Sequence, residues 1–289
     1  MANGNLKLAI QKSGRLSEKS LQLLRTCGLD IENYSNRLIV TTRNYELDLL
    51  FLRDDDIPEY VQDGVADVGI VGEDVVIEKE ADVEMIKKLG FGKCRLMLAG
   101  PENEDIKEIQ EINGKRVATS YPKILANYFR DNKIQAKIIQ ISGSVEIAPS
   151  LGVADYICDI VSTGNTLKLN KLKKYMTVFD SEAVLIGNKN IEKDSDKYSK
   201  LKNLIVRIES ALNAKNSKYL MMNVPKDSLE RVREVLPSLK SPTILPLADE
   251  SMLAVHAVIP SDMFWEIQKD LHEAGASGLL LVPIENMIL

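Results

Sequence analysis

Histidine is nearly missing from this chain. Only two of its 289 residues are histidine, His256 and His272, so everything before position 256 must work without an imidazole. That removes histidine-dependent catalytic triads and histidine-based metal sites from most of the sequence. Cysteine is scarce as well. Cys27, Cys94 and Cys158 are odd in number, far apart and set in apolar runs, which predicts buried, reduced thiols and offers no metal-ligand spacing. No apolar run approaches the length of a membrane span. The opening MANGNLK lacks the cationic-then-apolar pattern of a secretory leader, so a cytoplasmic location is expected. Positive charge is not in excess either: 37 Lys and Arg against 42 Asp and Glu give a net charge of −5. That balance argues against a general nucleic-acid or membrane-surface binder. An anionic ligand would have to be held by local cations and helix N-termini.

What is present describes an ordinary globular protein, 45% hydrophobic and 27% charged, long enough for two or three domains. The most informative stretch is residues 159–167, DIVSTGNTL. An apolar strand over 156–161 runs into a hydroxyl-rich turn holding one glycine, and then into a segment over 167–172 that can begin a helix. Backbone N–H groups of a first helical turn, with hydroxyls from Ser162, Thr163 and Thr166, suit a phosphate. Gly164 would let the backbone approach that ligand closely. Asp159 stands just before the turn, in reach of a sugar hydroxyl or a ligand-bound Mg²⁺. A plain helix cap at Ser162 explains the same pattern equally well.

The rest of the chain reads as alternating strands and helices. A strand over 6–10 leads to the turn QKSGR (11–15), with Ser17 as the expected N-cap of an amphipathic helix ending near Gly28. Strands follow over 37–42 and 47–52. The second ends in RDDDIP (53–58), where three carboxylates precede a helix over 57–62, and capping is the expected role of the cluster. GVAD occurs twice, at 64–67 and 152–155, each time before an apolar strand and a loop. This echo suggests two similar α/β halves with ligand groups at the C-terminal ends of strands. A strand over 94–100, a polar stretch with the look of a helix or crossover over 101–111, and a strand over 115–119 come next. A helix over 123–132, a strand over 136–141, and strands over 176–180 and 182–186 complete a two-lobed cleft of the periplasmic-binding-protein type. A charged helix is expected over 193–215. Beyond it the order is strand–helix–strand–strand–helix–strand, the ferredoxin-like arrangement, suited to small-molecule sensing or subunit contacts.

Taken together, the motifs resemble those of the ATP phosphoribosyltransferases in their long form with a C-terminal regulatory domain. The carriers are QKSGRL (11–16), RDDDIP (53–58), DVGIVGE (67–73), CRL (94–96), GKRVATSYP (114–122), GSVEIAP (143–149) and ADYICDIVSTGNTL (154–167). In the last segment they are SKY (217–219), PTILPL (242–247), GAS (275–277) and VPIE (282–285). One departure is Lys93 in FGKC (91–94), where a small or polar residue is expected. The resemblance implies a two-lobed periplasmic-binding-protein-like core, with residues 1–90 and 181–215 in one lobe and 91–180 in the other. Residues 216–289 would form an ACT-like regulatory domain. It implies transfer of 5-phosphoribosyl from 5-phosphoribosyl-1-pyrophosphate (PRPP) to N1 of ATP with loss of pyrophosphate. Mg²⁺ would be held mainly by substrate phosphates, histidine would inhibit, and the chain would form homo-oligomers, dimer and hexamer. Lys12, Arg15 and Arg53 would serve catalysis, and Gly14, Arg15, Glu73 and Asp74 would hold ATP. Glu146, Asp159, Ser162, Thr163, Gly164, Asn165 and Thr166 would hold PRPP, and Asn223, Thr243, Leu245, Leu247 and Ser277 would hold histidine. The residues alone leave the acceptor base open, so a phosphoribosyltransferase using another base is the competing reading. A secreted solute-binding protein would share the cleft but not the appended domain, and a pure amino-acid sensor would leave the phosphate turn unexplained.

Overall fold

A computed structural model describes residues 4–32, 37–161 and 164–289. Packing divides the chain into two compact units, Met1–Leu21 with Asp30–Tyr198, and Gln22–Leu29 with Ser199–Leu289.

The first unit contains two sheets. The first sheet uses β1 (Leu6–Gln11), β2 (Ile39–Thr41), β3 (Leu47–Leu52), β4 (Val68–Gly72) and β5 (Glu84–Lys88), together with β11 (Ala183–Gly187). Its order is β2-β3-β1-β4-β11-β5, with β1 parallel to both β3 and β4. The middle strands are largely apolar because both faces are covered: Leu6, Leu8, Ala9 and Ile10 of β1 are fully buried. Helices α1 (Arg15–Thr26), α2 (Ile57–Gln62) and α3 (Glu73–Glu78) follow β1, β3 and β4 in turn. The second sheet, order β10-β6-β9-β7-β8, is built from β6 (Cys94–Pro101), β7 (Arg116–Thr119), β8 (Lys137–Gln140), β9 (Tyr156–Ile160) and β10 (Leu172–Ser181). It carries α4 (Pro122–Asp131) and the short α5 (Asn165–Leu169). The chain thus crosses from one lobe to the other and returns through β10 and β11. Helix α3 bridges the two: Val76 packs into the first lobe's core and Ile77 against the second's.

In the second unit, β12 (Ser217–Pro225), α7 (Leu229–Val235), β13 (Thr243–Pro246), β14 (Met252–Pro260), α8 (Phe264–Glu273) and β15 (Ser277–Pro283) follow the long α6 (Asp196–Lys215). The antiparallel sheet runs β13-β14-β12-β15. That is the ferredoxin-like order, with the two central strands coming first and third in the module. One face packs on the helices through Leu220, Met222, Val224, Val255, Ala257 and Ile259.

Several expectations need correcting. Ser17 does not cap α1; the helix opens at Arg15 with the Gly14 carbonyl accepting from Glu18 N at 3.1 Å, and Ser17 is buried within its first turns. The aspartates of RDDDIP give no side-chain cap to the turns they start. Instead Asp55 meets Lys79 at 3.8 Å. The stretch after Pro101 holds only a 3-10 turn, Ile109–Ile112. Residues expected to start a helix at 167–172 are divided: α5 ends at Leu169, Lys171 adopts φ +56°, and β10 begins at Leu172. Strand β5 was not foreseen. It is a half-exposed edge strand of sequence EMIKK, paired only to β11, and so lacks the alternation of a half-buried strand.

Candidate active site

Each lobe ends several strands at the same rim. In the first lobe, Lys12 N donates to Leu52 O at 2.7 Å, which ties the end of β1 to the end of β3. Lys12, Gly14, Arg15 and Arg53 therefore lie at neighbouring strand ends, and all are exposed. Gly14 has φ +95°, so a side chain there would be strained. Among the described residues no carboxylate lies within ion-pair distance of Lys12, Arg15 or Arg53, although three aspartates follow Arg53 directly. Three cations left unneutralised at one rim are free to meet an anion.

At the end of β4 the chain turns at Gly72 into α3. A Cβ on Gly72 would strike Asp74 Oδ1, so glycine leaves room for that carboxylate to fold back. Asp74 is 6% exposed, and Ser181 Oγ donates to its Oδ1 at 2.6 Å. Burial pushes the Asp74 carboxyl above the ordinary carboxylate range, against the Ser181 hydrogen bond. Glu73 pairs with Lys88 at 2.8 Å. Both acidic residues proposed for ATP are thus engaged with protein partners.

In the second lobe, Glu146, Asp159, Gly164 and Thr166 line one small cavity of about 60 Å³, with Ile160, Val161 and Leu167. Four of the seven residues expected to hold PRPP therefore converge. Asn165 begins α5 beside them, and Ser162 and Thr163 lie outside the described residues. Asp159 Oδ1 accepts from Ile160 N at 2.8 Å and lies 3.5 Å from Ser120 Oγ. Its carboxyl is raised by burial, with the Glu146 charge adding to the effect. Gly164 has φ +81°, and a Cβ there would come within 2.8 Å of Lys174 Cε and 3.2 Å of its Nζ. The ammonium of Lys174, on β10, therefore stands against the turn. Sequence reasoning missed it because no local pattern links a strand lysine to a turn glycine ten positions earlier.

A larger cavity of about 750 Å³ is lined by Glu73, Lys88, Lys93, Cys94, Arg95, Val161, Asp180, Ser181 and Glu182. It takes side chains from both lobes and from the return crossing. Arg95 pairs with Asp180 at 2.8 Å, and Glu182 accepts from Gly90 N at 2.9 Å. Lys93, set apart by the sequence as a departure, is one of the cavity's cations. Burial, and then the Asp74 charge, raises the Cys94 thiol. Tyr121, at the start of α4, is also pushed well up, by burial and then by Asp74, Asp159, Cys94 and Asp54. Its phenol thus sits among acidic groups of both lobes. Among the described residues no three His, Cys, Asp or Glu side chains converge on a point that could hold a metal ion.

In the second unit, Asn223 pairs with Ala254 on one side and Ser277 on the other, and Leu245 pairs with Ala254. The row Leu245–Ala254–Asn223–Ser277 crosses the sheet on the face turned away from α7 and α8. Thr243 lies opposite His256 in the next row, and Leu247 follows β13, its N–H donating to Met252 O at 3.2 Å.

The fold and rim define a two-lobed α/β protein of the periplasmic-binding type carrying a ferredoxin-like appendage. Comparison with known families is consistent along the chain. The ATP phosphoribosyltransferase profile matches residues 53–210, and the profile of that family's C-terminal domain matches residues 214–286. The ATP phosphoribosyltransferase of Cytophaga hutchinsonii is 47% identical over 283 residues, covering 98% of each chain. That of Bacteroides thetaiotaomicron is 48% identical over 284 residues, covering 98% of this chain and all of the relative. The solved ATP phosphoribosyl transferase (HisG:HisZ) complex from Thermotoga maritima includes a chain that is 34% identical, with a TM-score of 0.57. The match covers 71% of this chain and 98% of that one. This chain belongs to the ATP phosphoribosyltransferase family.

Proposed function

We propose that the cleft transfers the 5-phosphoribosyl group of PRPP to N1 of ATP, releasing pyrophosphate. The observation that carries the reading is the convergence of Glu146, Asp159, Gly164 and Thr166 on one cavity at the end of β9, with Lys174 against the turn. The amides at the start of α5 have no acceptor within the helix. With the Lys174 ammonium they suit the ribose 5-phosphate. Asp159 and Glu146, which line the same cavity, would meet the ribose hydroxyls. Lys12, Arg15 and Arg53, exposed at the facing strand ends, attract the polyphosphates, with Gly14 allowing close approach.

Displacement at C1 of the ribose proceeds with oxocarbenium character. The protein therefore needs no nucleophile; it positions two polyanions and stabilises the departing charge. Cations at the rim and carboxylates beside the ribose match that task, and a cleft without histidine can perform it. Mg²⁺ is the cofactor of this reading. Substrate phosphates would supply most of its ligands, and the carboxylate oxygens of Glu146 and Asp159 are hard donors that would suit it. When bound it offsets negative charge on pyrophosphate. Histidine is the inhibitor, acting through the C-terminal domain, and the chain assembles as a homo-oligomer, interconverting between dimer and hexamer. The residues 1–90 and 181–215, 91–180, and 216–289 would then be the two catalytic lobes and the regulatory domain.

The test is incubation with ATP, PRPP, Mg²⁺ and a pyrophosphatase, followed by mass analysis. A product of ATP plus one phosphoribosyl group is expected. Turnover with another base, and none with ATP, would overturn the reading.

A further inference from the structure

The N-terminus of α4 is capped from the opposite lobe. Pro122 occupies the first turn and has no N–H to satisfy, which leaves the amides of Lys123 and Ile124 without intrahelical acceptors. Among the described residues, neither is met by a side chain of its own lobe. Instead Glu78, the last residue of α3, takes both. Its Oε1 and Oε2 accept from Lys123 N at 3.1 and 3.0 Å, and Oε2 accepts from Ile124 N at 3.1 Å. A carboxylate on two helix N–H groups is a charge-assisted pairing. The bond to Ile124 N is partly buried, and the two to Lys123 N are open to water. Next to it the exposed Lys123 ammonium pairs with Glu80 at 2.7 Å.

The two ends of this contact each lead into the cleft. Helix α3 starts with Glu73 and Asp74 and finishes with Glu78, one short rigid rod. Helix α4 starts directly after Ser120, beside Asp159, and Tyr121, whose phenol is surrounded by acids of both lobes. Separating the lobes at this point would strand two amides and a carboxylate at once. It would also part Asp74 from Tyr121.

We propose that Glu78 is an interlobe latch, a positioning residue that holds the cleft closed for both substrates without touching either. The proposal rests on the phosphoribosyl-transfer reading. A latch sets the fraction of molecules in the binding-competent arrangement. Weakening it raises the apparent KM of every ligand that needs closure by one common factor, and saturating substrate restores closure and hence kcat. A residue touching ATP or PRPP would change one KM alone, and a purely structural residue would lower Tm and leave both KM values in place.

The experiment measures Tm and full ATP and PRPP kinetics for the wild type, Glu78→Ala and Glu78→Gln. Hydrogen exchange at the Lys123 and Ile124 amides is followed in parallel. For Glu78→Ala we expect both KM values to rise together by about ten-fold, a loss typical of charge-assisted hydrogen bonds, with kcat within two-fold (roughly) of wild type. Glu78→Gln keeps the length and the acceptor oxygen, so its KM values should fall between the two. Unchanged KM values in a folded variant, or a change confined to one substrate, overturn the latch. If Glu78→Ala does not fold, the glutamine variant decides by the same criteria. A wild type that turns over neither substrate refutes the transfer reading instead. The latch is then judged by exchange alone: faster exchange at Lys123 and Ile124 in the variants supports it, and unchanged exchange overturns it.

Discussion

Gly164 has two separate reasons to be glycine. Its φ of +81° is a conformation that L side chains rarely adopt, and the space a Cβ would fill is taken by Lys174. Gly164→Val should therefore move the turn and its amides away from Lys174. PRPP affinity should weaken by about 1–3 kcal/mol, the worth of one or two lost hydrogen bonds. Isothermal titration with PRPP and a melting curve test this together: weaker binding in a folded protein is expected, and unaltered PRPP affinity would remove the 5-phosphate from this turn. Asp155 makes a different kind of prediction. Its Oδ2 accepts from Arg116 N at 2.8 Å while Arg116 Nη2 reaches Oδ1 at 2.8 Å, and these bonds hold its carboxyl below the ordinary value of 3.8. A depressed folded pKa gives stability that is complete above the unfolded value, and it is lost as pH falls through the folded one. Asp155→Asn should cost about 1 kcal/mol near neutrality, a modest figure because the pair is partly exposed. The cost should begin to shrink below about pH 4, where the unfolded chain's carboxylate protonates, and should disappear only once pH falls past the depressed folded value. Urea midpoints of both proteins from neutral pH into acid measure it, and a cost independent of pH would contradict the assignment.

At the scale of elements, the repeated GVAD shows what a sequence can disclose. In both copies the glycine is left-handed, with φ +72° at Gly64 and +69° at Gly152, and the alanine is buried. In both, the aspartate accepts a backbone N–H from the strand alongside, Asp67 from Lys7 and Asp155 from Arg116. The echo therefore marks a shared way of starting a central parallel strand, β4 in one lobe and β9 in the other. The residues proposed to meet ligand, Glu73 and Asp74 after β4 and Asp159 to Thr166 around the end of β9, lie at the far ends of those strands. Strands, helices and the ferredoxin-like order were legible because their periods are local. Lys174, Lys88, Arg95 and the Glu78 cap were not, since each acts on a segment brought near only by sheet pairing or lobe packing. Gly100 on β6 shows the same limit. Nothing in CRLMLAGP announces that Tyr156 and Tyr175 press their rings, 6.0 Å apart, over its Cα. A Cβ at Gly100 would overlap both rings, so Gly100→Ala should destabilise the second lobe by about 1–3 kcal/mol through overpacking. Chemical denaturation measures this, and a neutral result would mean that the tyrosines swing aside freely.

For the whole molecule, the proposed control by histidine is tested on the C-terminal domain by itself. The C-terminal sheet buries one face on its own helices and leaves the row Leu245–Ala254–Asn223–Ser277 on the other. Ser277 is exposed, with its Oγ donating to Asn223 O at 3.4 Å, and Gly278 follows at φ +59° against the Asn223 amide. Small polar groups beside an open strand end suit the ammonium and carboxylate of an amino acid. If histidine is the inhibitor and binds there, it would act only through a higher affinity for a less active arrangement, and by linkage substrates would oppose its binding to the same degree. Ser277→Phe fills the spot and changes none of the residues assigned to the cleft. Turnover of ATP and PRPP should stay near wild type while the histidine concentration giving half-inhibition rises by about ten-fold or more, a coupling change of ordinary allosteric size. Dose–response curves at fixed substrate read both quantities. If histidine inhibits the variant with undiminished potency, its pocket lies away from the β12–β15 end of the sheet, and the control site must be sought elsewhere in residues 216–289.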